Sequence, residues 1–328
     1  MVFWKTYPLL NVIQAKFNRE IFKSQIFDRE SIESPTGSKM IIIKKTQNEN
    51  VVPEVREFIK NNFGSPPKTP IYDIPDRFLL SEKDHILVVK DTDRLIAGCV
   101  RFHFLGTYAS SSNEEIYCVD CFTVNKKWRG KGLGDYLLTY LHTYVNNNNI
   151  PYCMFLKEGF SLSIVHSPIY TGIYVYRELL EQSVSENIKD LSVVQAYRLM
   201  DLFREINPRM FIIRNIKSEN QKWKIYKKDR NKILACFQDA FQSFEEDKTI
   251  KKIGWCTGWI ESPGITDEFR EEASRELSAS MFPEFNYIWM NKEWVGNGKI
   301  WKVDGPFNWY TYQWTSAINI KNSYCILN

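Results

Sequence analysis

Three of the chain's 15 glycines fall between positions 130 and 134, within Arg129-Gly-Lys-Gly-Leu-Gly134. No other feature constrains the fold as much. The hexapeptide follows Glu115 to Val124, which reads as a strand. It leads into Leu133 to Val145, where Leu133, Leu137, Tyr140, Leu141, Tyr144 and Val145 recur with a helical period. A strand, a glycine-rich turn and a helix in that order require a mixed α/β arrangement. Glycines in such a turn reach backbone conformations closed to other residues and aim successive N–H groups at one point. The free N–H groups and positive end of the following helix add to the effect. With Lys126, Lys127, Arg129 and Lys131 at its mouth, the turn reads as a cradle for a pyrophosphate. The Gly-Lys-Ser/Thr ending of a P-loop is absent, and the glycine spacing is not that of a dinucleotide fingerprint.

The flanking sequence places this unit in a largely antiparallel sheet. Met40 to Lys44 reads as a strand, and Val52 to Phe63 as a helix with Val52, Val55, Phe58, Ile59 and Phe63 on one side. Four prolines between Gly64 and Pro75 mark a loop. Ile86 to Val89 and Leu95 to Leu105 form a hairpin about Asp91-Thr-Asp93, and Ile150 to Leu156 is a further strand. The polar stretch 181–192 is the expected seam. Beyond it, Leu191 to Ile206 and Thr266 to Ser280 read as helices, Trp255 to Ile260 and Tyr287 to Met290 as strands, and Lys299 to Trp314 as an aromatic, strand-rich end. The fold class is α/β (α+β), with mixed, mostly antiparallel sheets flanked by helices.

Composition narrows the partners. The 43 Lys and Arg are interleaved with 39 acids for a net charge of +4, so no nucleic-acid partner is expected. No apolar run approaches the roughly 18–20 residues of a membrane span. Seven cysteines, an odd count, and the lack of a secretory pattern at the start point to a reducing, cytoplasmic setting. Cys118 and Cys121 have CxxC spacing, but residues three apart on a strand face opposite ways and no second pair is visible, so no metal site is expected. His85, His103, His142 and His166 lack ligand spacing and read as structural or exposed, and Gly254 to Trp259 reads as a packed strand with a bulge. A monomer is expected.

The pattern Arg-x-x-Gly-x-Gly after a strand resembles the acyl-CoA pyrophosphate loop of the GNAT acyltransferase superfamily. Two further stretches resemble N-myristoyltransferases within it, beside Asp120-Cys-Phe-Thr-Val-Asn-Lys-Lys-Trp-Arg129 at the loop itself. They are the opening Phe3-Trp4-Lys5-Thr6-x-Pro8, and Asp304-Gly305 followed by Phe307, Trp309, Tyr310, Tyr312 and Trp314. The resemblance implies two fused GNAT-like halves, with residues 1–188 binding acyl-CoA and 189–328 forming a peptide groove. It implies a myristoyl group passing from acyl-CoA, the cosubstrate, to the N-terminal glycine amine of a protein or peptide by direct attack on the thioester. No prosthetic group is implied. Phe3 and Trp4 would lie on the CoA nucleotide, Thr123 and Val124 would contact pantetheine, and Arg129, Gly130, Lys131, Gly132, Leu133 and Gly134 would hold the pyrophosphate. The N–H groups of Cys121 and Phe122 would form an oxyanion hole. The terminal carboxylate of Asn328 would act as base, with the apolar Tyr324-Cys-Ile-Leu327 drawing the tail inward. Asp120, Asp304 and Gly305 would contact the acceptor.

The chain also departs from that family. Asp120 replaces an Asn that contacts the acceptor glycine, a carboxylate suited to bind the ammonium or serve as an added base. Leu156-Lys157-Glu158-Gly159 lacks the family's substrate-contacting Thr, and the glycine-rich loop is closer to general acetyltransferases. Two alternatives follow: a GNAT N-acetyltransferase using acetyl-CoA on another amine, and a catalytically degenerate acyl-CoA-binding protein.

Overall fold

A computed structural model of the chain describes residues 22–23, 33–63, 70–108, 114–148, 150, 152–162, 168–207, 210–312, 314–315 and 324–326. The strands are β1 (Phe22–Lys23), β2 (Met40–Ile43), β3 (Ile71–Tyr72), β4 (His85–Lys90), β5 (Ile96–Tyr108), β6 (Glu115–Val124), β7 (Cys153–Glu158), β8 (Tyr170–Glu178) and β9 (Ile188–Leu191). There follow β10 (Phe211–Arg214), β11 (Lys222–Lys228), β12 (Asn231–Glu246), β13 (Thr249–Glu261), β14 (Tyr287–Asn291), β15 (Lys302–Tyr312), β16 (Trp314–Thr315) and β17 (Tyr324–Cys325). The helices are α1 (Val52–Asn62), α2 (Asp76–Leu79), α3 (Leu133–Asn147), α4 (Val193–Ile206) and α5 (Asp267–Ala279).

Fifteen strands join in one sheet whose main path runs β14-β8-β15-β7-β6-β5-β10-β17-β13-β12-β11-β9. A parallel pairing of β13 with β14 links the path back on itself. The 188/189 boundary falls at the head of β9, and the strands of the two halves interdigitate: β15 lies between β7 and β8.

Period-two alternation builds the core on both faces of β4. Leu87 and Val89 pack with Leu133, Leu137 and Leu141 of α3, while Ile86 and Val88 pack with Val52, Val55 and Ile59 of α1. The α1 reading holds, with Pro53 in its first turn where a missing N–H costs nothing. The strand expected from Ile150 starts instead at Cys153. The Ile150 amide donates to Val145 O at 3.0 Å, and the side chain packs into the α3 cluster, so Ile150 closes the helix rather than opening the strand.

Two units share one order and one pairing pattern. In β5-β6-α3-β7, β5 and β6 are antiparallel and β6 and β7 parallel. In β12-β13-α5-β14, β12 and β13 are antiparallel and β13 and β14 parallel. Each unit carries a β-bulge on its central strand. Cys99 and Arg101 oppose Thr123 and Asp120, so Cys121 and Phe122 face the single residue Val100. Cys236 and Phe237 oppose Gly258 and Cys256, leaving Thr257 as the extra residue. The second bulge lies in the stretch that the sequence reads as a bulged strand.

Candidate active site

The site is built on the β6 bulge. Cys121 has a left-handed backbone, φ +49°, which is unfavourable for a residue with a Cβ and persists only under outside restraint. The restraints are visible. The Cys121 carbonyl accepts from Thr123 Oγ1 at 3.0 Å and from Cys99 Sγ at 3.5 Å. A trans peptide points its C=O and N–H in opposite directions, so this anchoring aims the Phe122 amide the other way. Cys121 is buried with the α1 cluster, while Phe122 packs with the α3 cluster. Cys118 belongs to a third cluster, so the CxxC thiols do not meet. Burial pushes both thiols up, which removes them as nucleophiles at neutral pH.

One edge of β6 is open beside the bulge. The parallel pairing with β7 covers only Tyr117–Cys153 and Cys118–Met154, although β7 runs on to Glu158, paired along its other edge with β15 throughout. Among the described strands, none pairs with that edge of β6 beyond Cys118.

The glycine-rich loop turns into α3 next to this edge. Gly130 and Gly132 have φ of +76° and +79°, conformations that explain the residue type at both positions. Gly132 is the N-cap of α3 and supplies no side-chain cap, so the first amides of the helix are not satisfied by the cap residue. A Cβ at Gly134 would meet the Phe122 ring at 3.5 Å, an ordinary contact.

The four cations at the mouth divide their work. Arg129 donates from Nε to Val124 O at 3.0 Å and from a terminal nitrogen to Asn62 O at 2.9 Å, tying the end of α1 to the end of β6. Lys127 lies 3.6 Å from both Asp91 and Asp93. Lys131 lies over the Trp128 ring, 5.3 Å from its centre. Lys126 and Lys131 are exposed and form no ion pair among the described residues. They are the cations best placed to meet a phosphate.

Asp120 has a partner that the sequence reading did not anticipate. Arg101 Nε donates to Asp120 Oδ1 at 2.7 Å, and a second guanidinium nitrogen holds Oδ2. The Arg101 side chain is 5% exposed. An added base at Asp120 is not what this geometry offers, because both carboxylate oxygens are engaged. The signal was a lone Arg inside the apolar run Ile96 to Leu105.

The remaining expected residues lie elsewhere. Asp304 is the extra residue of a register shift in β15, is exposed, and accepts from Trp289 Nε1 at 2.7 Å; Gly305 follows it. Phe3, Trp4, His166 and Asn328 lie outside the described residues. β17 lies between β10 and β13, Tyr324, Cys325 and Ile326 are buried, and the Ile326 amide donates to Thr257 O at 3.1 Å. The other histidines have structural partners: His142 with Tyr312 at 2.7 Å, His85 with Tyr144 at 3.0 Å and His103 with Asp84 at 3.1 Å. Among the described residues, no three metal-ligating side chains come together, and no helix is long and apolar enough to cross a membrane.

Residues 52–160, from α1 through β7, match the model of the Acetyltransferase (GNAT) family. This stretch is a GNAT domain. Over the whole chain, the fold is similar to solved structures of Saccharomyces cerevisiae N-myristoyltransferase. One, with bound myristoyl-CoA, superposes with a TM-score of 0.66 at 11% identity, covering 100% of this chain and 94% of that one. Another, with myristoyl-CoA and inhibitors, gives 0.65 at 12% identity, covering 100% and 92%. At such identity the likeness speaks for the fold. No curated protein matches the chain by sequence. The GNAT domain contains the bulge, the open edge and the glycine-rich loop.

Proposed function

We propose that the protein is an acyl-CoA-dependent N-acyltransferase that moves a long acyl group, myristoyl in the first instance, to the N-terminal glycine amine of a protein or peptide. The observation that carries the reading is the open-edged bulge beside a helix start without a side-chain cap, inside a GNAT domain.

In this reading, acyl-CoA is the cosubstrate. Its pyrophosphate lies on the N–H groups from Arg129 to Gly134, with Lys126 and Lys131 supplying charge. Pantetheine runs along the free edge of β6, meeting the backbone of Thr123 and Val124. Phe3 and Trp4 cover the nucleotide. The thioester carbonyl sits against the amides of Cys121 and Phe122. As the amine attacks, negative charge grows on that oxygen, and one fixed donor is worth about 2.7–4 kcal/mol. The C–N bond forms, the C–S bond breaks, and the departing thiolate takes the proton that the new amide nitrogen sheds, so CoA leaves as the free thiol. The substrate ammonium, with a reference pKa of about 8, first loses its proton to the terminal carboxylate of Asn328. The run Tyr324 to Ile326 just before it is buried. Asp304 and Gly305 contact the acceptor peptide from the C-terminal half.

Single-turnover mixing with myristoyl-CoA and a Gly-starting peptide tests this. The reading expects one acyl group transferred per enzyme, and transfer lost when residues are appended after Asn328. Retained transfer in the extended chain removes Asn328 as base. A second reading, an N-acetyltransferase, is favoured by the family description and the glycine-rich loop. It wins if acetyl-CoA binds more tightly than myristoyl-CoA and is the donor used.

A further inference from the structure

The buried ion pair between Arg101 and Asp120 has no part in the steps above. Its position is specific. Asp120 is the last residue of β6 in regular register before the bulge, directly opposite Arg101. The Arg101 guanidinium reaches three elements. It grips both oxygens of Asp120 on β6, it stands on β5, and its third nitrogen donates to Phe78 O of α2 at 2.8 Å. Only a planar fork makes these contacts together; an ammonium offers one point of charge. Downstream, Thr123 Oγ1 and Cys99 Sγ hold the Cys121 carbonyl. The left-handed Cys121 is thus clamped from both sides, with Arg101 as the upstream clamp.

We infer that Arg101 is a positioning residue for acyl transfer: through Asp120 it fixes the β6 bulge and so the aim of the Cys121 and Phe122 amides. The inference rests on the function proposed above. It assigns Asp120 to holding the site rather than to taking the substrate's proton. A small misplacement of fixed donors costs rate rather than cosubstrate binding, because the pyrophosphate is held elsewhere, on the loop.

Arg101→Lys keeps the charge and loses the fork. It is expected to lower kcat about tenfold or more while KM for acyl-CoA changes less than about threefold, since only transition-state contacts are displaced. The pH–rate midpoint stays at its wild-type position. Removing one charge alone leaves the other buried and unpaired, so a second variant, Arg101→Met with Asp120→Asn, removes both. It is expected to bind acyl-CoA as the wild type does by calorimetry and to transfer it about tenfold more slowly. Wild-type kcat in the double variant overturns the inference. So does a shifted pH–rate midpoint in Asp120→Asn, which would make Asp120 the base. Amide spectra of the unliganded Arg101→Lys protein separate this inference from the function itself. Shifts at Cys121 and Phe122 relative to wild type are expected whatever the ligand, and their absence overturns the clamp even if the wild type proves to be an active transferase.

Discussion

The two strand–loop–helix–strand units differ at the place where their folds agree most. Both have a bulged central strand whose parallel partner leaves it part-way. In β5-β6-α3-β7 the edge beside the bulge is open among the described strands. In β12-β13-α5-β14 the same edge is filled by the chain itself: β17 pairs with Gly258 and Trp259, and Ile326 N–H donates to the carbonyl of the bulged Thr257. The helix starts differ in the same sense. Four cations precede α3, which begins at a glycine with no side-chain cap and carries Asp135 in its first turn. α5 begins at Thr266, whose hydroxyl accepts from the Phe269 amide, with Asp267 and Glu268 in the first turn. Arg270 there is bound to Glu261 and Asp267. The first helix start thus lacks a side-chain cap and follows a run of cations; the second is capped by a hydroxyl and has one acid more in its first turn. A shared fold therefore admits two different surroundings of the bulge, and two local choices, an N-cap and a strand edge, account for the difference.

The most damaging way to break the comparison is to remove the strand that fills the closed unit. Tyr324 is buried against Tyr170 and Trp294, with ring centres 5.0 and 4.6 Å away. Tyr324→Ala is expected to cost about 3–5 kcal/mol of stability, read from urea unfolding, as aromatic truncations in cores do. Closing the open unit comes next. Gly132→Asp places a negative cap and a Cβ at a left-handed position, and acyl-CoA affinity is expected to fall about tenfold or more by calorimetry. Thr266→Ala should cost about 1 kcal/mol of stability and, on the function proposed above, leave acyl-CoA affinity unchanged.

A separate effect is one of pH, on the back of the open unit. Burial, with the Lys44 charge nearby, lowers His85 from 6.5 to about 4. A depressed folded value means that the neutral ring contributes stability above pH 6.5 and loses it as pH falls towards 4. His85→Gln is therefore expected to show a smaller drop in urea midpoint than wild type on going from about pH 7 to about pH 5.

The open unit was legible in the sequence because local rules decide it: a strand-like run in β6, glycines at left-handed positions, and a helical period in α3. The closed unit was legible only in part. Trp255 to Ile260, Thr266 to Ser280 and Tyr287 to Met290 stand out, and the bulge in β13 was foreseen. The place of β17 was not, since it depends on pairings with residues distant in the chain. β8 was missed because its pattern runs against hydrophobicity: Ile173 faces out, while Gly172 is buried where the Phe307 ring lies across it. The Arg101–Asp120 pair was missed for a related reason. Single-strand patterns do not reveal that two charged residues on neighbouring strands share a register position.

The most direct test is to follow backbone amides while CoA is added to the intact protein. The account predicts shifts at Thr123 and Val124 and at Gly130 to Gly134, with none from Thr257 to Phe269. Shifts in the second stretch, or none in the first, would contradict it.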